Sequence, residues 1–139
     1  MKTSIRFYDD REVRAIWDDS ASKWWFSVLD IVAAINRESD YAKTRNYWKY
    51  LKAKLKKEGG QLVSATTQLK LRAPDGKLRM TDCLDSDGVV ALSKAIPNSR
   101  ATDASALKAL LNGALTTKIN DREMFIKGID YSYYYEEDE

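Results

Sequence analysis

A chain of 139 residues, 44% of them hydrophobic, is long enough for one domain with its own core; without histidine and with one cysteine, it cannot build a Ser/His/Asp or Cys/His nucleophile system or an internal disulfide. It has no GxxxxGK[ST] or GxGxxG phosphate loop and no apolar run near the roughly 20 residues that cross a bilayer, so binding remains, or carboxylate chemistry such as that of a metal-dependent nuclease. The net charge of +2 is unevenly spread: from Asp130 onward five acids stand without a base, so residues 1–129 carry a net +7, which points to a polyanionic partner.

The body, residues 1–129, opens with a predicted hairpin. Ile5-Arg6-Phe7-Tyr8 is followed by the polar link Asp9-Asp10, and in Glu12–Trp17 the residues Val13, Ala15 and Trp17 alternate with Glu12, Arg14 and Ile16. Asp18–Ser22 predicts a turn and Lys23–Phe26 a short strand. Ser27 offers an N-cap for a helix over Val28–Ile35, with Asp30 three residues on. Asn36–Ser39 turns the chain, and Ser39 or Asp40 caps a longer helix that runs to about Lys57 and stops at Gly59-Gly60. Gln61–Thr67 reads as loop or frayed strand.

A second hairpin follows. Leu69, Leu71 and Ala73 alternate with Lys70 and Arg72, Pro74-Asp75-Gly76 turns, and Leu78 and Met80 alternate with Lys77 and Arg79. This alternation predicts Leu69, Leu71, Leu78 and Met80 facing inward and the four cations facing out. Asp85 or Ser86 caps a helix through Ala95 that Pro97 ends, and Thr102 or Asp103 caps a last helix through Leu107, Leu110 and Leu111 to Gly113. Met124–Ile129 has the makings of another strand, and residues 130–139, acidic and rich in tyrosine, of a flexible tail. The expected fold is α+β: small antiparallel strands and hairpins packed with a helix-turn-helix-like pair and two C-terminal helices.

The helix over 41–57 holds seven Lys/Arg and no acid. At 100° per residue, Tyr41, Trp48, Leu51 and Leu55 form a buried stripe with Tyr47 beside it. Arg45, Lys49, Lys52 and Lys56 form a ridge along its flank; Lys43, Lys54 and Lys57 form another. Like charges four residues apart cost a helix about 0.2–0.5 kcal/mol per pair, and no Glu is interleaved to offset this. A solvated polar face is the plain explanation and nucleic-acid binding the functional one. A short helix, a tight turn and a basic helix have helix-turn-helix proportions, although an ordinary helical hairpin has them too. In the DNA-binding motif the start of the second helix enters the major groove, where Arg45 and Asn46 suit guanine and adenine edges. The cations Lys70, Arg72, Lys77 and Arg79 suit a wing on the phosphates, or simply deter edge pairing.

Trp17, Trp24, Trp25, Phe26 and Trp48 read as core rather than as a base-stacking platform, and Cys83 as a small buried filler. Asp82, Asp85 and Asp87 cluster after the hairpin as a nuclease's metal ligands would; capping by Asp85 and Asp87, with Asp82 ending a strand, accounts for them.

Trp25-Phe26-Ser27-Val28-Leu29-Asp30-Ile31-Val32 resembles the W-F-S-V-x-D-V opening of the Bro-N family, the N-terminal domain of prophage antirepressors. Tyr47–Gly59 is similar to that family's Y-W-x-x-L-K-x-K-L helix. Gln68–Leu71, Asp75-Gly76-Lys77, Thr81-Asp82-Cys83, Gly88-Val89-Val90 and Ala95-Ile96-Pro97 follow in the family's order, so the resemblance spans roughly residues 5–112. It departs in the last helix, where the family carries a Phe and a Trp and this chain has Ala104, Ala106, Leu107 and Leu110. The resemblance implies an N-terminal DNA-binding domain of phage, prophage and large-DNA-virus regulators, often joined to a separate C-terminal domain; no enzymatic activity is expected.

The expected partner is therefore duplex DNA, met through Lys43, Arg45, Asn46, Lys49, Lys52, Lys56, Lys70, Arg72, Lys77 and Arg79. Capture of a repressor protein is the alternative and a nuclease the third reading. No cofactor, metal or membrane is expected, and the location is expected to be cytoplasmic, from the lone thiol and the absence of an apolar segment at Met1–Arg6.

Overall fold

The computed structural model of the chain describes residues 3–8, 11–73, 75–97, 107, 110, 111, 116–119 and 122–125. Strands β1 (Thr3–Tyr8) and β2 (Arg11–Asp18) pair antiparallel as the first hairpin. The turn after β2 is organised by the Asp18 carboxylate, which accepts the Ser20 and Ala21 backbone N–H groups at 3.0 and 3.2 Å. Strand β3 (Lys23–Ser27) returns along β2 and runs without a break into α1 (Val28–Asn36). Ser27 is the N-cap of α1 and accepts the Asp30 N–H. The Asp30 carboxylate, instead of closing a capping box, takes the Arg14 backbone N–H at 2.9 Å and the Arg14 guanidinium at 2.8 Å, fixing α1 to β2.

Arg37, in the left-handed conformation at φ 53°, ends α1. Asp40 caps α2 (Tyr41–Lys57) by accepting the Ala42 and Lys43 N–H groups, a bond set worth about 1 kcal/mol. Gly59, at φ 76°, turns the chain away from α2. The second hairpin is β4 (Thr67–Arg72) and β5 (Leu78–Leu84), followed by α3 (Ser86–Ala95), which Asp85 caps through the Gly88 N–H. Gly88 lies so close to Leu84 that an added Cβ would meet its side chain at 2.7 Å, which seats α3 directly on the end of β5.

The five strands form one antiparallel sheet in the order β1-β2-β3-β5-β4. It curls until its edges approach: Arg14 on β2 donates to the Arg72 carbonyl at the end of β4 at 2.8 Å, and Thr3, Ser4 and Ile5 line a small cavity with Leu71 and Arg72. One face carries Tyr8, Val13, Ala15, Phe26 and Leu84 against α1, α3 and the buried side of α2, where Trp48 and Leu51 sit. The other face holds a smaller cluster of Ile16, Leu71 and Cys83 flanked by Trp25 and Leu69. Ile16, which the alternation grouped with the polar positions, is thus buried on that second face.

Leu107 and Leu110 are helical and buried in the main core, and the Arg6 guanidinium donates to the Leu110 carbonyl at 2.9 Å. The rest of the expected last helix lies outside the described residues. A separate ribbon, β6 (Thr116–Ile119) with β7 (Arg122–Phe125), stands where a strand over Met124–Ile129 was expected. Only 124 and 125 of that span are described, and the acidic tail at 130–139 lies outside the described residues.

The architecture is α+β, as the sequence predicts, and no helix among the described residues is long and apolar enough to cross a membrane.

Candidate functional site

Helix α2 presents its long basic side beside the β4–β5 hairpin. Thr44, Trp48 and Leu51 are its buried residues, while Tyr41, expected on the buried stripe, is 44% exposed. Thr44 occupies the centre of the buried face, one turn after Tyr41, so the first-turn tyrosine sits at the margin of the stripe and overhangs an open cleft.

That cleft, of about 530 Å³, runs between α2 and the hairpin. The helix contributes Tyr41, Arg45, Trp48 and Lys52; the hairpin contributes Gln68 and the run Leu78–Asp82, Arg79 included, with Leu29 of α1 also in the lining. Arg45, Lys49 and Lys56 are exposed, and the half-buried Lys52 stands on the same ridge. Lys43 and Asn46 are exposed as well; the helical period places Asn46 on the outward side of α2, between Lys49 and Tyr50, and Lys43 on the far flank with Lys54.

Asp82 is the anchor between the two walls. It lies inside β5 rather than at a strand end, and the register puts it opposite Gln68. One carboxylate oxygen accepts the Trp48 indole N–H at 2.8 Å and the Lys52 ammonium at 3.0 Å; the other accepts the Gln68 amide at 3.2 Å. Burial pushes its pKa up, but these three donors outweigh burial and hold it below the usual carboxylate range. Lys52 is therefore held in an ion pair. Arg79 is too, with Asp75 in the hairpin loop. Among the described residues, no ion pair engages Lys43, Arg45, Lys49, Lys56, Lys70 or Lys77.

The hairpin corrects the predicted facing. Ala73 and Lys77 close the loop, with the Ala73 N–H donating to the Lys77 carbonyl at 2.8 Å and Gly76 at φ 83°. Three residues then separate the strands, and this odd count sets Lys70 opposite Met80, Leu71 opposite Arg79 and Arg72 opposite Leu78. Directly paired residues share a face. Leu78 and Met80 therefore lie with Lys70 and Arg72 on the side continuous with the cleft, at 42% and 55% exposure, and not inward with Leu71. The register divides the four cations: Lys70 and Arg72 share the face of Leu78 and Met80, Arg79 holds the alternate position opposite Leu71 yet lines the cleft, and Lys77 stands beside the loop. The Arg72 guanidinium also bonds the Gly76 carbonyl at 2.7 Å and lines a neighbouring cleft with Glu12, Arg14 and Asp30.

The remaining candidates have structural explanations. Asp85 caps α3 and pairs with Lys23 at 2.9 Å, Asp87 is exposed in the first turn of α3, and Asp82 faces α2, so the three carboxylates do not converge. Among the described residues, no group of three or more Cys, Asp or Glu is placed to hold a metal ion. Phe26 and Trp48 are core; Trp17 and Trp24 are a half-buried cross-strand pair with ring centroids 5.4 Å apart, and Trp25 is half-buried on the opposite face. Cys83 is fully buried, and burial pushes its thiol up to about 12.

Tyr41, Leu78 and Met80 are cleft residues that pattern alone does not identify; the loop length between Ala73 and Lys77 holds the signal for the last two. No protein-family model, no curated protein and no solved structure matches this chain.

Proposed function

We propose that this chain is a DNA-binding regulatory domain of the phage antirepressor type that its sequence resembles, with α2 in the major groove of duplex DNA and the β4–β5 hairpin on the adjacent backbone. The observation that carries this is the ridge of Arg45, Lys49 and Lys56, exposed, free of ion pairs with described residues and unrelieved by any acid along α2, beside an open cleft that Arg45 lines together with Arg79 of the hairpin. Such a side repels itself in isolation and is favourable against phosphates, whose condensed counterions it releases on binding. Helices α1 and α2, separated by residues 37–40, supply the helix-turn-helix order, and the Asp30–Arg14 and Asp82–Trp48 contacts hold both helices to the sheet. Arg45 and Asn46 are the base-reading residues, and Lys49, Lys56, Lys70 and Lys77 are phosphate contacts.

An electrophoretic mobility shift of a mixed-sequence duplex by the full chain tests this against an Arg45→Glu/Lys49→Glu double variant. The wild type shifts the duplex at low salt and the variant loses at least ~10-fold in affinity. Equal shifts by both proteins would remove α2 from the interface.

A further inference from the structure

We infer that Leu78 and Met80 form an apolar wedge that enters the minor groove of bound duplex DNA and partly unstacks a base-pair step. This rests on the proposed function and adds to it a residue pair that charge alone does not identify. Both side chains are large, apolar and roughly half exposed, and they are alternate residues of one strand on one face. Isolated exposed apolar residues need no explanation, but these two adjoin the exposed Tyr41 across the cleft and form a patch.

The surroundings of the patch name its occupant. Met80 stands directly across from Lys70 and Leu78 across from Arg72, Lys77 adjoins Leu78 in sequence, and Arg45 faces them from α2. An apolar partner protein would bury Arg45, Lys70 and Lys77 without a counter-charge, which is costly. DNA offers phosphates to the rim and sugar and base surface to the centre. With α2 in the major groove, one sugar–phosphate strand runs through the cleft and the hairpin meets the minor groove beyond it. Leucine and methionine are among the side chains that minor-groove proteins insert between base steps, offsetting the unstacking by added contact.

The test uses the full chain, a short duplex rich in TA steps with 2-aminopurine at one step, and the variants Leu78→Ser/Met80→Ser and Leu78→Met/Met80→Leu. Both positions are exposed, so the serine variant keeps its fold, which its melting temperature verifies; Met80→Ser alone serves if it does not. Wild type and the Met/Leu swap raise 2-aminopurine fluorescence on binding. The serine variant binds ~10-fold more weakly without that rise and with the salt dependence unchanged, because no cation has been removed. Wild-type binding with no fluorescence change, or serine-variant affinity within twofold of wild type, overturns the wedge while leaving DNA binding intact. Failure of the wild type to bind the duplex at low salt overturns both.

Discussion

Lys52 Nζ lies 3.0 Å from Asp82 Oδ2, an oxygen that also accepts the Trp48 indole N–H. The pair fastens the middle of α2 to β5 and removes one cation of the ridge from service. Asp82→Asn keeps the shape of the side chain and removes its charge. It is expected to lower unfolding stability by about 1–2 kcal/mol, through weakened bonds to Trp48 and Lys52. By freeing Lys52 it is expected to tighten duplex binding and steepen the log–log salt slope by about 0.9. Urea unfolding and a salt-series binding titration read the two effects separately; weaker binding would mean that Asp82 shapes the interface rather than screening it.

Asp82 and Asp85, with Asp18 and Asp75, are held below the usual carboxylate range, and the first two tie separate elements together. Asp82 is held low by Trp48, Lys52 and Gln68 against the opposing effect of burial, and Asp85 is held low chiefly by the Gly88 N–H, with Lys23 adding to it. Because both folded values lie below the unfolded value of about 3.9, the stability they supply is fully present above that pH and is lost as pH falls through the folded values. Thermal melts between pH 7 and pH 2 should be flat down to about pH 5 and fall steeply below about pH 4. An Asp82→Asn/Asp85→Asn variant should show a shallower acid limb, and an unchanged limb would assign it to other carboxylates.

The hairpin register separates residues that look alike in sequence. Leu71→Ala empties a site that is 2% exposed and is expected to cost about 2–5 kcal/mol. Leu78→Thr and Met80→Thr, on the cleft face, are expected to change stability by less than about 1 kcal/mol each. Comparable losses at all three positions, measured by urea unfolding, would restore the inward facing of Leu78 and Met80 that alternation predicts.

Much of this was legible in the residues. The starts of α1, α2 and α3 are legible because a cap needs only a short side chain followed by a helical pattern: Ser27 is the N-cap observed, and of the pairs Ser39/Asp40 and Asp85/Ser86 the aspartate is the cap in each case. The two facings that were misread depend on what a strand or helix packs against. Alternation shows that Leu69, Leu71, Leu78 and Met80 are periodic, but not that the two strands are in phase; the three-residue loop decides that, and an odd count reverses it. Tyr41 is more apolar than Thr44, so composition favoured it for the buried stripe, yet the smaller threonine is the residue that fits beneath the helix. Asp82 reads as a strand terminator until its donors are seen, since two of them, Trp48 and Lys52, come from α2 some 30 residues earlier. The nine candidate cations and Asn46 were all visible, but not their division between the cleft, the outward and far sides of α2 and the two faces of the hairpin.

Cys83 has no solvent access and a thiol pushed up to about 12 by burial. A disulfide reagent such as DTNB at pH 8 should therefore leave it unmodified in the native protein and label one thiol per chain in denaturant. Rapid labelling of the native chain would show that the Ile16–Leu71–Cys83 face opens readily.

In the proposed complex, exposed cations on α2 and the hairpin neutralise phosphates. Fluorescence anisotropy of a labelled mixed-sequence duplex, titrated with the full chain at a series of salt concentrations, measures this most directly. Five exposed cations, Arg45, Lys49, Lys56, Lys70 and Lys77, are placed to contribute. The expected result is a log–log slope of about −3 to −5. Absence of binding even at low salt would contradict the account and make a protein partner the leading reading of the same surface.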